Sequence, residues 1–219
     1  MIPPMRRAGR VPAANSKDLP KMSEEKTNGP FPGPKLPEIA AAAAAAAAGL
    51  AGLDAVFERA AATVVSALQA GHKVLAAGNG GSAAEAMHLA EELSGRYHRD
   101  RKALPGLALC ADGTALTCIG NDYGFDDLFA RQVEAFCAEG DVLALFTTSG
   151  RSPNLSRAAE AARARGAKVI GFTGNGGGAL APLCDVLLDV AGAAAPHVQE
   201  CHEILLHALL ERVDAVFTA

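Results

Sequence analysis

Apolar residues gather in five short runs, at 73–77, 104–110, 141–146, 168–172 and 185–190. A strand with one wet face alternates, so continuous runs bounded by turn residues predict strands buried on both sides, the pattern of a parallel sheet covered on each face. The segments between them are long enough for helices and read as such at 82–95, 113–120, 126–138, 153–165 and 197–217, with Gly140 and Gly166 placed to close a helix before the next strand. Upstream, Leu50, Leu53, Val56 and Phe57 recur at helical spacing and predict an amphipathic helix over 50–70. The unbroken alanine run from Ala40 to Ala48 is the best helix-forming composition available, so 39–49 reads as a helical extension. Residues 1–38 lack periodicity. Arg6, Arg7, Arg10, Lys17, Lys21, Lys26 and Lys35 stand there among prolines against only four acids, the composition of a disordered tail. One folded domain over 50–219 is expected.

Composition narrows the function classes. Half of the 219 residues are hydrophobic, yet no stretch of eighteen is purely apolar, and the formal net charge is -4. Neither a membrane nor nucleic acid is an expected partner. The cysteines Cys110, Cys118, Cys137, Cys184 and Cys201 show no CxxC spacing and read as reduced, buried fillers; their odd count and the absence of an evident secretory leader make the cytoplasm the expected compartment.

Candidate chemistry begins where the first apolar run ends. Gly78-Asn79-Gly80-Gly81-Ser82 lies between that run and a helical stretch, a strand, turn and helix junction that aims free backbone N–H groups and the positive helix end at one spot. An anion is favoured there. A second junction follows the run at 141–146: Thr147-Thr148-Ser149-Gly150-Arg151-Ser152 leads into Pro153, placing Ser152 as N-cap and proline at N1. Capping explains one hydroxyl, whereas the cluster supplies neutral donors enough to surround a phosphate. Neither loop matches GxxxxGK[ST] or GxGxxG, so a nucleotide cofactor is not expected. The glycine-rich stretch at 173–178 has no capping hydroxyl and reads as a structural turn.

Past the first loop, His88 and Glu92 stand four residues apart on one helix face, a spacing that suits a shared divalent metal or a proton-transfer pair; Glu91, three residues from His88, fits on spacing as well. The last helix adds Gln199, Glu200, His202, Glu203 and His207. His202-Glu203 with His207 resembles HExxH only superficially, because the second histidine lies five residues on and turns off the shared face. Gln199 and His207 are about 12 Å apart along a helix, so binding one ion together requires bent approach geometry or different subunits.

The strings AGNGGSAAEAMHLAEELSGRY, LTCIGNDYGFDDLFARQVEA, GDVLALFTTSGRSPN and VQECHEILLHALLE, in order over about 50–215, together strongly resemble the phosphoheptose isomerases of the sugar isomerase (SIS) domain superfamily. The resemblance implies an α/β three-layer sandwich with a five-stranded parallel sheet and an N-terminal helix, assembled as a homotetramer with active sites at subunit interfaces. It implies zinc held by His88, Glu92, Gln199 and His207, with Glu92 and His207 catalytic. Substrate-binding positions fall on Asn79, Gly80, Gly81, Ser82, Glu92, Asn121, Asp122, Thr147, Thr148, Ser149, Ser152 and Gln199. The implied reaction turns sedoheptulose 7-phosphate into D-glycero-D-manno-heptose 7-phosphate through an enediol. Arg151 stands where the family commonly has Asn, and Pro196-His197 where it commonly has Arg. Two alternatives are an isomerase of another phosphosugar and a non-catalytic SIS protein that binds a partner, as the paralogue associated with the bacterial replication initiator does; those relatives typically lack the acid and histidine at the Glu92 and His207 positions.

Overall fold

A computed structural model describes residues 32–218, and most of the expected tail, 1–31, lies outside the described residues. The compact unit opens at Leu36. Helix α1 (Leu36–Gly49) carries Pro37 and Glu38 in its first turn, where a missing N–H costs nothing and a negative charge meets the helix dipole; it therefore starts three residues before the alanine-rich extension read from sequence. A 3-10 turn at Leu50–Leu53 separates it from α2 (Asp54–Gln69). By length and composition alone the helical stretch Leu36–Gln69 could cross a membrane. In the fold, α1 packs against the last helix, and α2 sinks Phe57, Ala60, Val64 and Leu68 into the core.

The sheet holds β1 (Val74–Gly78), β2 (Gly106–Ala108), β3 (Val142–Phe146), β4 (Lys168–Gly174) and β5 (Val186–Val190), all parallel, in the order β2-β1-β3-β4-β5. Between them run α3 (Gly81–Ser94), α4 (Gly113–Asp122), α5 (Ala130–Phe136) and α6 (Pro153–Ala164), and the chain closes with α7 (Ala195–Phe217). Successive strand residues point to opposite faces. Val74, Ala76, Val142, Ala144, Phe146, Ile170 and Phe172 meet α2, α3 and α7, whereas Leu75, Ala77, Leu143, Leu145 and Val169 meet α5 and α6. This is the three-layer α/β sandwich expected.

Two predicted elements shrink. The strand read at 104–110 is hydrogen-bonded only over Gly106–Ala108, because β2 is an edge strand with a single neighbour. The helix read at 126–138 becomes a 3-10 turn at Phe125–Asp127 followed by α5. Strand order reverses between β1 and β3, whose ends lie side by side with Gly78 paired to Phe146. At such a switch point the two following loops diverge and leave a crevice, the usual ligand position in an open parallel sheet.

Candidate active site

Both sequence-flagged loops open into that crevice. Asn79 and Asn154 clamp them together through two reciprocal amide hydrogen bonds, of 3.0 Å and 2.9 Å. A cavity of about 180 Å³ lies between, lined by Asn79, Ser82, Phe146, Thr147, Thr148, Ser149, Ser152 and Gln199. Ser152 occupies the N-cap position of α6 and Pro153 follows it, but the Ser152 hydroxyl makes no capping bond. The oxygen of Thr147 accepts from the N–H of Gly150 at 3.1 Å, and that of Ser149 from the N–H of Arg151 at 3.4 Å, so both hydroxyl protons stay available to a ligand. Hydroxyl donors at two helix amino ends, without a lysine or arginine on the wall, suit a phosphate group. The turn at 173–178 buttresses this loop: a β-carbon on Gly150 would fall 1.8 Å from the Gly177 oxygen.

Helices α3 and α7 start at the cavity and run side by side in the same direction. Near their amino ends Gln199 presses so close to Gly81 that a β-carbon there would lie 2.4 Å from its Nε2 atom. About 10 Å of rise farther along α3, His88 meets the same neighbour helix. Its Nδ1 atom is 2.8 Å from Glu203 Oε2, its Nε2 atom is 3.6 Å from Glu92 Oε1, and its ring lies edge-on to that of His207 with centroids 5.2 Å apart. Tyr97 stacks on the other side of His207. Burial, and then the carboxylates of Glu211, Glu92 and Asp214, push the Tyr97 phenol up from its ordinary value, which keeps it protonated.

The donor chemistry fits zinc. Two ligands at 2.0–2.2 Å from one tetrahedral ion lie about 3.3–3.6 Å apart, and the separation of His88 Nε2 from Glu92 Oε1 falls in that range. His88, Glu203 and His207 form one group of donors within 4.8 Å of one another, and His88, Glu91 and Glu92 a second.

Most sequence-flagged residues thus divide between two neighbouring places. Asn79, Ser82, Thr147, Thr148, Ser149, Ser152 and Gln199 line the cavity, Gly80 and Gly81 form its turn, and beyond it His88 neighbours both Glu92 and His207, which belong to separate donor groups. Gln199 stands with the loops and against Gly81. Asn121 and Asp122 are outside the cavity: they bond each other at 2.7 Å on the exposed end of α4. Of the cysteines, Cys137 and Cys201 are buried, Cys110 and Cys184 half-buried, and Cys118 exposed, contrary to its reading as a filler; all five are free. Burial pushes the Cys184 thiol up to about 12 and also raises those of Cys110, Cys137 and Cys201.

Three features escaped the sequence reading. Glu203 appeared there only as one acid among several, although its four-residue spacing from His207 was available as a signal. Glu85 and His202 form a fully buried pair at 3.5 Å beneath the crevice, with His202 Nε2 donating to the Thr173 carbonyl. Arg101 and Asp214 form another at 2.8 Å. Both pairs join positions far apart in the chain, which no local pattern announces.

Residues 39–174 match the family model described as SIS domain. The phosphoheptose isomerase of Bradyrhizobium sp. (strain ORS 278) is 49% identical over 158 residues, 72% of this chain and 80% of that protein. Among solved structures, the phosphoheptose isomerase from Neisseria gonorrhoeae superposes with a TM-score of 0.74 at 40% identity, over 83% of this chain and all of that one. The one from Francisella tularensis gives 0.78 at 36% identity, over 81% of this chain and 95% of that one. A cavity with a phosphate's complement of donors and an imidazole–carboxylate cluster on the same two helices agree with these likenesses, and the chain belongs to the SIS domain family, among its phosphoheptose isomerases, as an enzyme that isomerises a sugar phosphate.

Proposed function

We propose that the substrate is sedoheptulose 7-phosphate and the product D-glycero-D-manno-heptose 7-phosphate. The observation that carries this reading is the shared origin of the two places: one helix pair begins at the hydroxyl-lined cavity and farther along sets His88 beside both Glu92 and His207. A phosphate held by Ser82, Thr147, Thr148, Ser149 and Ser152 contributes binding energy remote from the bond changes, which fixes the reacting end in position.

Glu92 takes a proton from carbon 1 of the ketose and returns it to carbon 2, with an enediol between. Its side chain is 17% exposed, shielded enough to limit exchange with water. His207 moves the second proton, from the carbon 1 hydroxyl to the carbon 2 oxygen. Tyr97, stacked against it, restricts the ring to one orientation. His88, Glu92 and His207, with Gln199 as the fourth donor, would hold zinc, which supplies Lewis-acid polarisation of the two substrate oxygens.

Gln199 and His207 of one chain are separated by about 12 Å of helix rise. Assembly as a homotetramer with active sites at subunit interfaces accounts for this, since a neighbouring copy can complete each donor set. Four thiols made less acidic by burial suit a reducing, cytoplasmic setting. The test is turnover: purified protein incubated with sedoheptulose 7-phosphate should form the aldose, and a chelator should stop it. Absence of product, with turnover of a shorter ketose phosphate instead, would sink the seven-carbon assignment.

A further inference from the structure

His88 has a carboxylate at each of its ring nitrogens, and the two distances differ in kind. Glu92 at 3.6 Å is too far for a hydrogen bond and stands where a second ligand of one tetrahedral ion would. Glu203 at 2.8 Å is too close for two ligands sharing an ion, which need about 3.3 Å or more, and is the length of a charge-assisted N–H to carboxylate bond. We infer that Glu203 is a positioning residue: it accepts the Nδ1 proton of His88, and so fixes the tautomer in which Nε2 presents its lone pair toward Glu92. Glu203 lies four residues before His207 on the same face of α7, so one helix carries both a proposed ligand and the outer carboxylate that orients the other imidazole. Such partners typically change metal affinity by 10- to 100-fold when removed.

The bland alternative is a surface ion pair of small worth, since the two side chains are 29% and 36% exposed. Such a pair leaves the other ring nitrogen unconstrained and predicts no effect on metal affinity.

This inference rests on the zinc reading above, and the test separates the two. Zinc dissociation constants of full-length wild type, Glu203→Gln and Glu203→Leu are measured by competition with a chromophoric chelator. The zinc coordination shell is counted by X-ray absorption, and the His88 tautomer is read in metal-free protein by long-range nitrogen-15 NMR. Expected are a 10- to 100-fold weaker constant for Glu203→Leu, a smaller loss for Glu203→Gln, whose amide oxygen still accepts, and an unchanged number of ligands. Loss of the Nδ1–H tautomer in metal-free Glu203→Leu completes the expectation. A constant within twofold of wild type, or a ligand missing from the shell, overturns the assignment. If wild type takes up no zinc the metal reading itself fails, and the tautomer measurement alone decides the role of Glu203.

Discussion

Arg101 donates through Nε to Asp214 at 2.8 Å, and neither side chain is more than 2% exposed. The rest of the guanidinium donates to the backbone oxygens of Leu93 and Glu92, the latter at 2.6 Å, while Asp214 accepts from the N–H groups of His98 and Arg99. One ion pair thereby ties the end of α3, at Glu92, to α7 and holds the loop that lays Tyr97 on His207. Arg101→Leu leaves a buried carboxylate unpaired, which costs about 3–5 kcal/mol and lowers the melting midpoint by about 6–20 °C. Because the Glu92 backbone loses its anchor as well, kcat should fall at temperatures where the variant is still folded. An apolar double variant, Arg101→Met with Asp214→Leu, should recover much of the stability without the activity. Full activity in the folded double variant would restrict the pair to a structural role.

The same carboxylate predicts how stability responds to acid. Burial pushes the Asp214 carboxyl up, but hydrogen bonds from Arg101, Arg99 and His98 together outweigh it, so the net shift is downward. In Asp141 and Asp185 burial is likewise outweighed, by bonds from Lys73 and Ala138 in the first and from Val169 and Lys168 in the second. A folded value below the unfolded one contributes stability that is present above about pH 4 and is lost as pH falls through the folded value. The thermal midpoint should therefore be nearly flat from pH 8 to 5 and drop steeply below about 4. Asp214→Asn should melt lower at neutral pH with a shallower acid limb.

Glu92→Gln tests the proton transfer while leaving an oxygen donor at that position. The amide keeps the shape and cannot act as a base, so turnover should fall by about 100- to 10,000-fold while sugar phosphate binding, read by calorimetry, changes little. Wild-type turnover in this variant would remove Glu92 from the reaction.

Much of this was legible in the sequence because it is local. The apolar run at 73–77 and its glycine turn announced β1 and α3, and the hydroxyls after Phe146 announced the cavity. The relation of Glu203 to His88 was not legible, since 115 residues separate them and only the packing of α7 on α3 joins them. The edge position of β2 was hidden for the same reason: a strand's neighbours are long-range facts, so its hydrophobic run overstated its paired length. Asn121 and Asp122 came from family resemblance, and their place on the exposed end of α4 is again a property of packing.

Ser152→Ala distinguishes ligand binding from capping. An N-cap serine replaced by alanine usually costs about 1 kcal/mol, but here the hydroxyl makes no capping bond. Stability should stay within about 0.5 kcal/mol of wild type while KM for the sugar phosphate rises several-fold. A melting midpoint lowered by several degrees with KM unchanged would return Ser152 to a capping role.

Gly150→Ala tests whether the hydroxyl loop must be held by the turn at 173–178. Gly150 has a φ of +62°, and its added β-carbon would fall 1.8 Å from the Gly177 oxygen. Its own N–H and carbonyl are both engaged, with Thr147 and Leu180, so the residue cannot shift without releasing one of them. The left-handed conformation costs alanine about 1–2 kcal/mol, and the clash with a backbone atom about 1–3 kcal/mol more. Gly192, with φ of +72° and nothing within 4 Å of the added carbon, is the control: alanine there meets the first cost alone. Gly150→Ala should thus be the less stable of the two and should raise KM sharply by displacing Thr147 and Ser149, whereas Gly192→Ala should keep a KM near wild type. Equal stability and equal KM in the two variants would show that the loop holds its shape without the turn behind it.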